Sequence, residues 1–513
     1  MSKYKEFVDK YAPNKNKIMA MDIPIIRNDN NDNWRFLRDY QQRQVNAGRV
    51  ALQMMDKRSL LFVIPTGGGK TFTACYLIDQ AQQKQQNTLV LVHRKELVRQ
   101  FSESLTSYGV DHGIIAQGHK LDFTKRVQVA SVGKVKGMLE KMHWRPNLII
   151  PDEAHHCVQG SMFGTVVDHY PNAVVVGLTA TPERLDGTGL GREYGGVFDC
   201  LIQGVSVTDL MDHGNLCRYR LIGSDHIPDM TGVGRVGGDY NRKQAAERID
   251  KPKITGNAVE HYREYAHKKK AIVFCMNRAH AEHVAERFCE AGYKFVVIDG
   301  TGRGRDKDAD GVDHVDRAVQ QLGSGEIDGL VSVDLVSEGF DLPALEVAIL
   351  LRKTQSLSLY LQQVGRVLRP TKGKDRAIIL DHVGNWIAHG LPDDFRDWTI
   401  EGSKGKKGAK KSDAPTIFQC PKCFEVERVK GNTCSFCGHV YQVAVPSAIE
   451  EDDGKLGEID VEAVRKERKK KISKARTYEE LKAVADELGY KEGWVKVQME
   501  LRKNRGRLPA KTG

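Results

Sequence analysis

Ile64-Pro65-Thr66-Gly67-Gly68-Gly69-Lys70-Thr71 carries the densest chemistry of this sequence. A glycine loop between an apolar strand and an amphipathic helix lets backbone N–H groups approach phosphates, and the helix N-terminus favours their charge. Lys70 can reach β- and γ-phosphates, and Thr71 can hold Mg²⁺. Further along, Leu148-Ile149-Ile150-Pro151-Asp152-Glu153-Ala154-His155 sets two carboxylates at the end of a strand, where α/β sheets place ligands. Asp152 is expected to bind Mg²⁺ and Glu153 to orient and deprotonate an attacking water, the two needs of γ-phosphate transfer. An Asp-Glu pair alone says little; with Lys70 upstream it is specific.

Four of the ten cysteines are patterned: Cys420-x2-Cys423, ten residues, then Cys434-x2-Cys437, followed by Gly438. Two such knuckles offer four thiolates to a closed, tetrahedral, structural zinc site, with a redox dithiol pair as the alternative. A unit of this size has too little core to fold alone, and metal binding of roughly 10 to 16 kcal/mol would supply its stability. Such a ribbon could set Lys422, Phe424, Arg428, Lys430 and Phe436 against a nucleic-acid strand or a protein. Cys75, Cys157, Cys200, Cys217, Cys275 and Cys289 are scattered and read as reduced packing residues.

The elements that must position these groups follow from hydrophobic runs. Leu60–Ile64, Thr88–Val92, Val127–Ala130, Leu148–Ile150 and Val174–Leu178 read as buried parallel strands with helical crossovers. A second series comprises Ala271–Phe274, Phe295–Ile298, Leu330–Val333, Val347–Leu351 and Ala377–Leu380. Residues 1–33 end in an Asn/Asp-rich stretch and read as a solvated leader. Thr231–Asp239, with four glycines, reads as a flexible surface loop, a hinge or contact loop being the alternative. Gly402–Ser412 lacks large apolar residues and reads as a linker. Beyond the cysteines, Tyr478–Arg502 reads as a small helical pair whose Tyr490, Trp494, Lys491, Lys496, Arg502, Lys503, Arg505 and Arg507 form a nucleic-acid grip or a solvated basic face.

At 513 residues the chain has room for about three domains. No run of 18 apolar residues suggests a bilayer span, and Met1–Tyr11 lacks a secretory h-region, so a cytosolic location is expected, the nucleoid included. From Gly402 onward 25 Lys and Arg face 17 Asp and Glu, so the tail holds most of the net charge of +11. A basic appendage on a near-neutral body suggests a polyanionic partner, against the plainer reading of a solvated face.

With Asp-Glu-Ala-His beside Pro-Thr-Gly-x-Gly-Lys-Thr, the chain resembles the DEAH-box side of helicase superfamily two, although Ile64 stands where a strict phosphate loop has glycine. The resemblance spans about Trp34 to Asp381. It implies two tandem RecA-like parallel-sheet domains, with ATP in the cleft between them. Leu37-Arg38-Asp39-Tyr40-Gln41 resembles the adenine-reading segment, with Gln41 as reader. Thr179-Ala180-Thr181-Pro182 resembles the motif that couples hydrolysis to nucleic-acid contact, relayed through His155, with Thr179 and Thr181 as contacts. Gln362-Gln363-Val364-Gly365-Arg366-Val367-Leu368-Arg369 matches the arginine-finger motif. Arg366 and Arg369, three apart on a helix, are expected to share a face and point at ATP. In Ser332–Asp341, Gly339 and Asp341 are implied at the nucleotide. Val92–Leu97 and Ala130–Val132 resemble nucleic-acid motifs holding phosphates through Arg94 and Ser131, and Ile272–Asn277 resembles the fourth motif.

The architecture read from the sequence is therefore α/β, with a leader (1–33), an ATP-binding domain (34–216), a second motor domain (217–401), a basic linker (402–414), a zinc ribbon (415–445) and a basic, partly helical tail (446–513). This order of parts resembles bacterial and phage helicase-like proteins of the RadD type, implicated in DNA replication or repair. The expected activity is ATP-driven helicase or translocase work on DNA, single-stranded or forked, with ATP, Mg²⁺ and structural Zn²⁺ as cofactors. A replication or repair protein could bind through ribbon or tail. An RNA helicase, a restriction-type translocase subunit and a non-enzymatic adaptor with a vestigial motor are the alternatives. Intact Lys70, Asp152, Glu153, Arg366 and Arg369 argue against the last.

Overall fold

The computed structural model describes residues 16–24, 37–224, 226–299, 313–333, 345–402, 417–428, 433–441, 475, 477–488, 495 and 499. The chain divides into two compact units, Met1–Tyr441 and Gln442–Gly513.

The first unit is built on two all-parallel sheets. One contains β1 (Lys17–Met19), β2 (Ser59–Val63), β3 (Thr88–Val92), β4 (Gly113–Ile115), β5 (Val127–Ser131), β6 (Leu148–Pro151), β7 (Val174–Thr179) and β8 (Cys200–Gln203), in the order β1-β8-β2-β7-β6-β3-β5-β4. Its strands are mostly apolar because both faces are covered: Leu60 and Phe62 pack into one core, Leu61 and Val63 into the other. The helices α1 (Asp39–Met54), α2 (Lys70–Gln83) and α3 (Lys95–Tyr108) contribute Val50, Ala74 and Leu105 to that cover.

The other sheet begins with β9 (Tyr219–Gly223). Between β9 and its next strand lies a two-stranded hairpin, β10 (Arg235–Val236) and β11 (Asp239–Tyr240). The remaining strands are β12 (Ala271–Phe274), β13 (Phe295–Asp299), β14 (Gly329–Val333), β15 (Val347–Leu350) and β16 (Ala377–Asp381), in the order β13-β14-β12-β15-β16-β9. Ile272 and Phe274 face one core, Val273 and Cys275 the other. The first of these cores also takes in Tyr40, Leu210 and Leu216, so the two sheets are packed into one body. A two-stranded ribbon, β17 (Ile417–Gln419) and β18 (Val426–Arg428), completes the unit.

Three sequence readings are corrected. The leader is not wholly solvated: β1 pairs in parallel with β8, and Ile18, Ala20 and Ile23 are fully buried. A three-residue strand is too short to show periodicity. Thr231–Asp239 is not a free loop, because it ends in the β10–β11 hairpin and Asp239 accepts hydrogen bonds from the Thr354 hydroxyl (2.8 Å) and the Gln355 N–H (2.7 Å). A side chain at Gly238 would meet Leu185 of the first sheet's half at 2.8 Å, so the hairpin is a contact loop. Finally, residues 391–401 do not belong to the second half alone. They form a strap from Leu391, in the second half's core, to Ile400, in the core of the first. Gln203 holds the strap at the Arg396 carbonyl and the Trp398 N–H, and Leu190 and Gly191 donate to the Ile400 carbonyl. Its mixed, aperiodic sequence gave no sign of this path.

In the unit Gln442–Gly513 the described residues contain the helix Tyr478–Leu488, whose Leu481 and Ala485, four apart on one face, pack with Ala475 and Val495. The basic linker from 403 to 414, and Tyr490, Lys491, Trp494, Lys496, Arg502, Lys503, Arg505 and Arg507, lie outside the described residues.

Candidate active site and cysteine centre

Strands β2, β7 and β6 are neighbours in the first sheet, and because they run in parallel their C-terminal ends open on one edge. That edge receives the glycine loop from β2, Thr179–Thr181 from β7 and Asp152–Glu153 from β6. Gly67 and Gly69 have φ of +82° and +83°, which only glycine adopts freely, and a side chain at Gly68 would press on Ile64 at 2.8 Å. Ile64, where a strict phosphate loop has glycine, is buried in the core.

Lys70, at the start of α2, donates to Glu153 Oε1 at 2.9 Å. Burial disfavours the Lys70 ammonium, but the carboxylates of Glu153 and Asp152 outweigh it and hold its pKa above the ordinary lysine value. Glu153 adopts φ 48° and ψ 52°, a left-handed backbone that costs a non-glycine residue about 1–3 kcal/mol and turns the chain into a 3-10 turn, Ala154–His156. His155 Nδ1 lies 3.4 Å from Glu153 Oε2 and 3.3 Å from Thr179 Oγ1. Thr179 Oγ1 donates to the Thr181 carbonyl at 2.9 Å, and Thr181 Oγ1 donates to Ser358 Oγ at 2.6 Å. Ser358 lies in α4 (Leu357–Gly365), an element of the second sheet's half. A polar path thus runs from Lys70 to the opposite half of the molecule. Sequence reasoning missed Ser358, and a lone serine in an amphipathic helix carries no signal that would have found it.

Thr66, Gly67, Gly69, Lys70, Thr71, Asp152 and Glu153 face Gln362, Arg366 and Arg369 across one cleft of about 650 Å³, ample for a nucleoside triphosphate. Another wall mixes Phe72, Phe101 and Tyr108 with Gln100, Glu103 and Ser104, Phe72 standing edge-on to Tyr108 at 5.5 Å. The two halves touch at its floor, where a side chain at Gly365 would meet Thr66 at 2.7 Å. The helix α4 stops at Gly365, so Arg366 and Arg369 reach the cleft from the turn that follows it and not from a regular helical face.

Gln41 is 2% exposed, and its amide braces the glycine loop. Its Nε2 donates to the Gly69 carbonyl and Thr73 Oγ1, both at 3.3 Å, and its Oε1 accepts from the Arg38 N–H at 2.9 Å. The expected base reader is a loop brace in this conformation. Pro65 and Thr66 stand at the loop's entrance, half-buried. Thr179 and Thr181 are fully buried and belong to the relay, which corrects their reading as surface contacts to nucleic acid. Arg94 and Ser131 lie at the exits of β3 and β5, both partly exposed, on the same edge of the sheet. Gly339 and Asp341 lie outside the described residues.

The four patterned cysteines converge. Their Sγ atoms all lie within 4.8 Å of one another, and Cys420–Cys437 and Cys423–Cys434 are 3.7 Å apart. Sulfurs about 2.3 Å from a central tetrahedral ion would stand roughly 3.8 Å apart, so the donor set fits zinc. The ribbon is docked on the second sheet. Gly223 donates its N–H to the Phe424 carbonyl at 3.1 Å, extending the β9 edge, and Arg220 pairs with Glu425 at 3.0 Å. The Arg220 guanidinium lies 3.4 Å from the centre of the Phe436 ring, and Arg428 binds Asp393 at 3.0 Å and Asp394 at 2.6 Å. Phe424, Arg428 and Phe436 thus contact the second half of the motor, and the Phe436 ring stays 46% exposed. Lys422 remains exposed, and Lys430 lies outside the described residues.

Comparison with known proteins agrees with this geometry. Residues 36–184 match the family described as type III restriction enzyme, res subunit, and residues 251–371 the helicase conserved C-terminal domain. A 51.5 kDa protein of Lactococcus phage (isolate 7-9) is 34% identical over 409 residues, 79% of this chain and 82% of its own. A Saccharomyces cerevisiae protein, provisionally named ATP-dependent helicase IRC3, is 27% identical over 371 residues, 68% of this chain. The match spans 51% of that yeast relative's length. Among solved structures, a fragment from Vibrio vulnificus YJ016, provisionally assigned as an HsdR subunit of a type I restriction enzyme, shares the fold. The TM-score is 0.54 at 19% identity, covering 74% of this chain and 70% of that one.

Proposed function

Because the chain belongs to the superfamily-two helicases, ATP-hydrolysing enzymes that act on nucleic acid, we propose that it turns over ATP in the cleft between its two sheets and converts this into movement along DNA. The observation that carries the reading is the continuous path Lys70–Glu153–His155–Thr179–Thr181–Ser358, which joins a phosphate loop to the opposite half of the motor.

In this reading the N–H groups of Gly67–Lys70 cradle the ATP phosphates, and Lys70 leaves Glu153 for the β- and γ-phosphates. Glu153, freed of its cation, takes the proton of the attacking water, with His155 orienting its second oxygen. Thr71 and Asp152 would hold Mg²⁺, which supplies charge neutralisation at the β- and γ-oxygens. Arg366 and Arg369 stabilise charge on the transferring phosphoryl group, a contribution of roughly 10³ to 10⁵ in rate in related NTPases. The family resemblance assigns Gly339 and Asp341, outside the described residues, to the nucleotide as well. Movement follows because Ser358 and the two arginines approach or leave the first half as ATP is bound and lost.

Arg94 and Ser131, at strand exits on one edge, suit phosphates of a single-stranded or forked track. DNA is the proposed track because the tail's basic excess favours a polyanion and the matched res-subunit family takes its name from restriction. The cysteine centre is a structural zinc site, closed by four thiolates, which a reducing compartment such as the cytosol preserves. The same family match favours a second reading, a translocase subunit that moves DNA for a separate nuclease. A replication or repair protein could be engaged through the tail.

Lys70→Ala and Glu153→Gln test the site. Both should lose ATPase by at least about 10³-fold, and Glu153→Gln should still bind ATP, since the phosphate loop remains. Wild-type turnover in either variant would remove the assignment.

A further inference from the structure

The residue after the Asp-Glu-Ala-His run takes no part in the chemistry above, yet its ring lies against those of His155 and His93, tilted by 43° and 56°, and against that of Phe163. The His155 and His156 ring centroids are 4.2 Å apart, and those of His156 and His93 are 5.2 Å apart. On its far side His156 lies nearly parallel to Phe163, at 6.3 Å and 19°. His93 leaves β3 immediately before Arg94, while His155 stands 3.4 Å from Glu153 Oε2. The two strand exits are also joined through their backbones, the Asp152 N–H donating to the Leu91 carbonyl at 2.9 Å.

We infer that His156 is a positioning residue that carries the state of the β3 exit, where the track is read, to the catalytic carboxylate Glu153. The inference rests on the proposal that Arg94 meets nucleic acid. Packed side chains are poorly compressible, so a shift at Arg94 that moves His93 bears on His156 and through it on His155. His155 then moves relative to Glu153 Oε2 and Thr179 Oγ1, the two groups that fix the attacking water and the contact with Ser358. The Ala154–His156 turn suits this role, because the left-handed backbone at Glu153 leaves the carboxylate and the rings little freedom to move separately. The required physical link is a packed contact between two strand exits, which the His93–His156–His155 ring contacts provide.

The test compares His156→Ala with His156→Phe in the full-length protein. It measures kcat for ATP without nucleic acid and with saturating single-stranded DNA, beside DNA affinity and thermal melting. His156→Ala should keep its basal kcat and DNA affinity within about twofold and lose roughly 5- to 150-fold of the stimulation, the usual range of coupling between two sites. His156→Phe, which keeps the ring, should restore most of it. Full stimulation in His156→Ala overturns the inference, as does equal loss in both variants or a parallel fall in basal and stimulated rates. If His156→Ala melts early, His156→Phe alone decides. A wild-type enzyme indifferent to every nucleic acid removes the proposed function instead, and the two failures are therefore distinct.

Discussion

Glu153 is held from both sides, by Lys70 at 2.9 Å and His155 at 3.4 Å, on a backbone that glycine alone would adopt without cost. In the proposed mechanism the carboxylate is aimed before ATP arrives, and the ion pair with Lys70 opens for turnover. Ser358→Ala removes the last hydroxyl of the relay. A neutral hydrogen bond contributes about 0.5–1.5 kcal/mol, so the stimulated kcat should fall about 2- to 10-fold with the KM for ATP little changed. Steady-state kinetics would show this, and an unaltered kcat would remove Ser358 from the coupling path. Two buried imidazoles make the second half sensitive to acid. Burial pushes His280 down to about 4 and His382 down to about 3, against about 6.5 in the unfolded chain. Below pH 6.5 the unfolded state therefore takes up protons that the folded state refuses. Stability is complete above that pH and is lost as pH falls, by about 2 kcal/mol per histidine at pH 5. Asp381 opposes the trend, because burial raises it to about 6 and makes its folded carboxyl the better proton acceptor over the same window. His382→Phe, which keeps a ring against His261, should flatten the fall in Tm between pH 7 and pH 5; an unchanged slope would count against the assignment. At this scale the sequence was most legible where chemistry restricts residue choice, as at Lys70, Asp152, Glu153 and the four cysteines. It was silent on Ser358 and on the bracing role of Gln41, because hydroxyls and amides serve equally on any polar surface.

The element that most changes the reading is the ribbon. Its β18 end lies against β9, and Arg428 reaches the strap residues Asp393 and Asp394, so cysteine centre, sheet edge and interdomain strap are mechanically linked. Removing one partner of a buried ion pair costs roughly 3 to 5 kcal/mol, and Arg428, 25% exposed, belongs at the lower end. Arg428→Ala should therefore retain zinc, whose ligands it does not touch, yet expose residues 391–441 to limited proteolysis. Digestion at the wild-type rate would contradict the docking. Gly365→Ala tests the contact between the halves, because the added methyl would sit 2.7 Å from Thr66. Overpacking of this kind costs about 1–3 kcal/mol, enough to lower kcat about tenfold or more while each sheet keeps its core. Every strand anticipated from a continuous apolar run is present within a residue or two. The strands missed, β1, β4, β8, β9 and the β10–β11 hairpin, are short or mixed in character. Their place is set by the neighbours they pair with, which a local pattern does not reveal.

Across the whole molecule, ATP chemistry and its mechanical consequence sit on opposite sides of one cleft. The first sheet supplies phosphate loop and carboxylates; the second supplies Ser358, Arg366 and Arg369. The two-sheet α/β architecture was legible because parallel strands buried on both faces must be apolar throughout. The strap and the docked ribbon were not, since they arise from contacts between segments far apart in sequence. The measurement that bears most directly on a DNA motor is the ATPase rate of the full-length protein with no nucleic acid, single-stranded, duplex and forked DNA, and RNA, with Lys70→Ala as the blank. The account predicts clear stimulation by DNA, lost in Lys70→Ala; stimulation by RNA alone, or a rate indifferent to every nucleic acid, would contradict it.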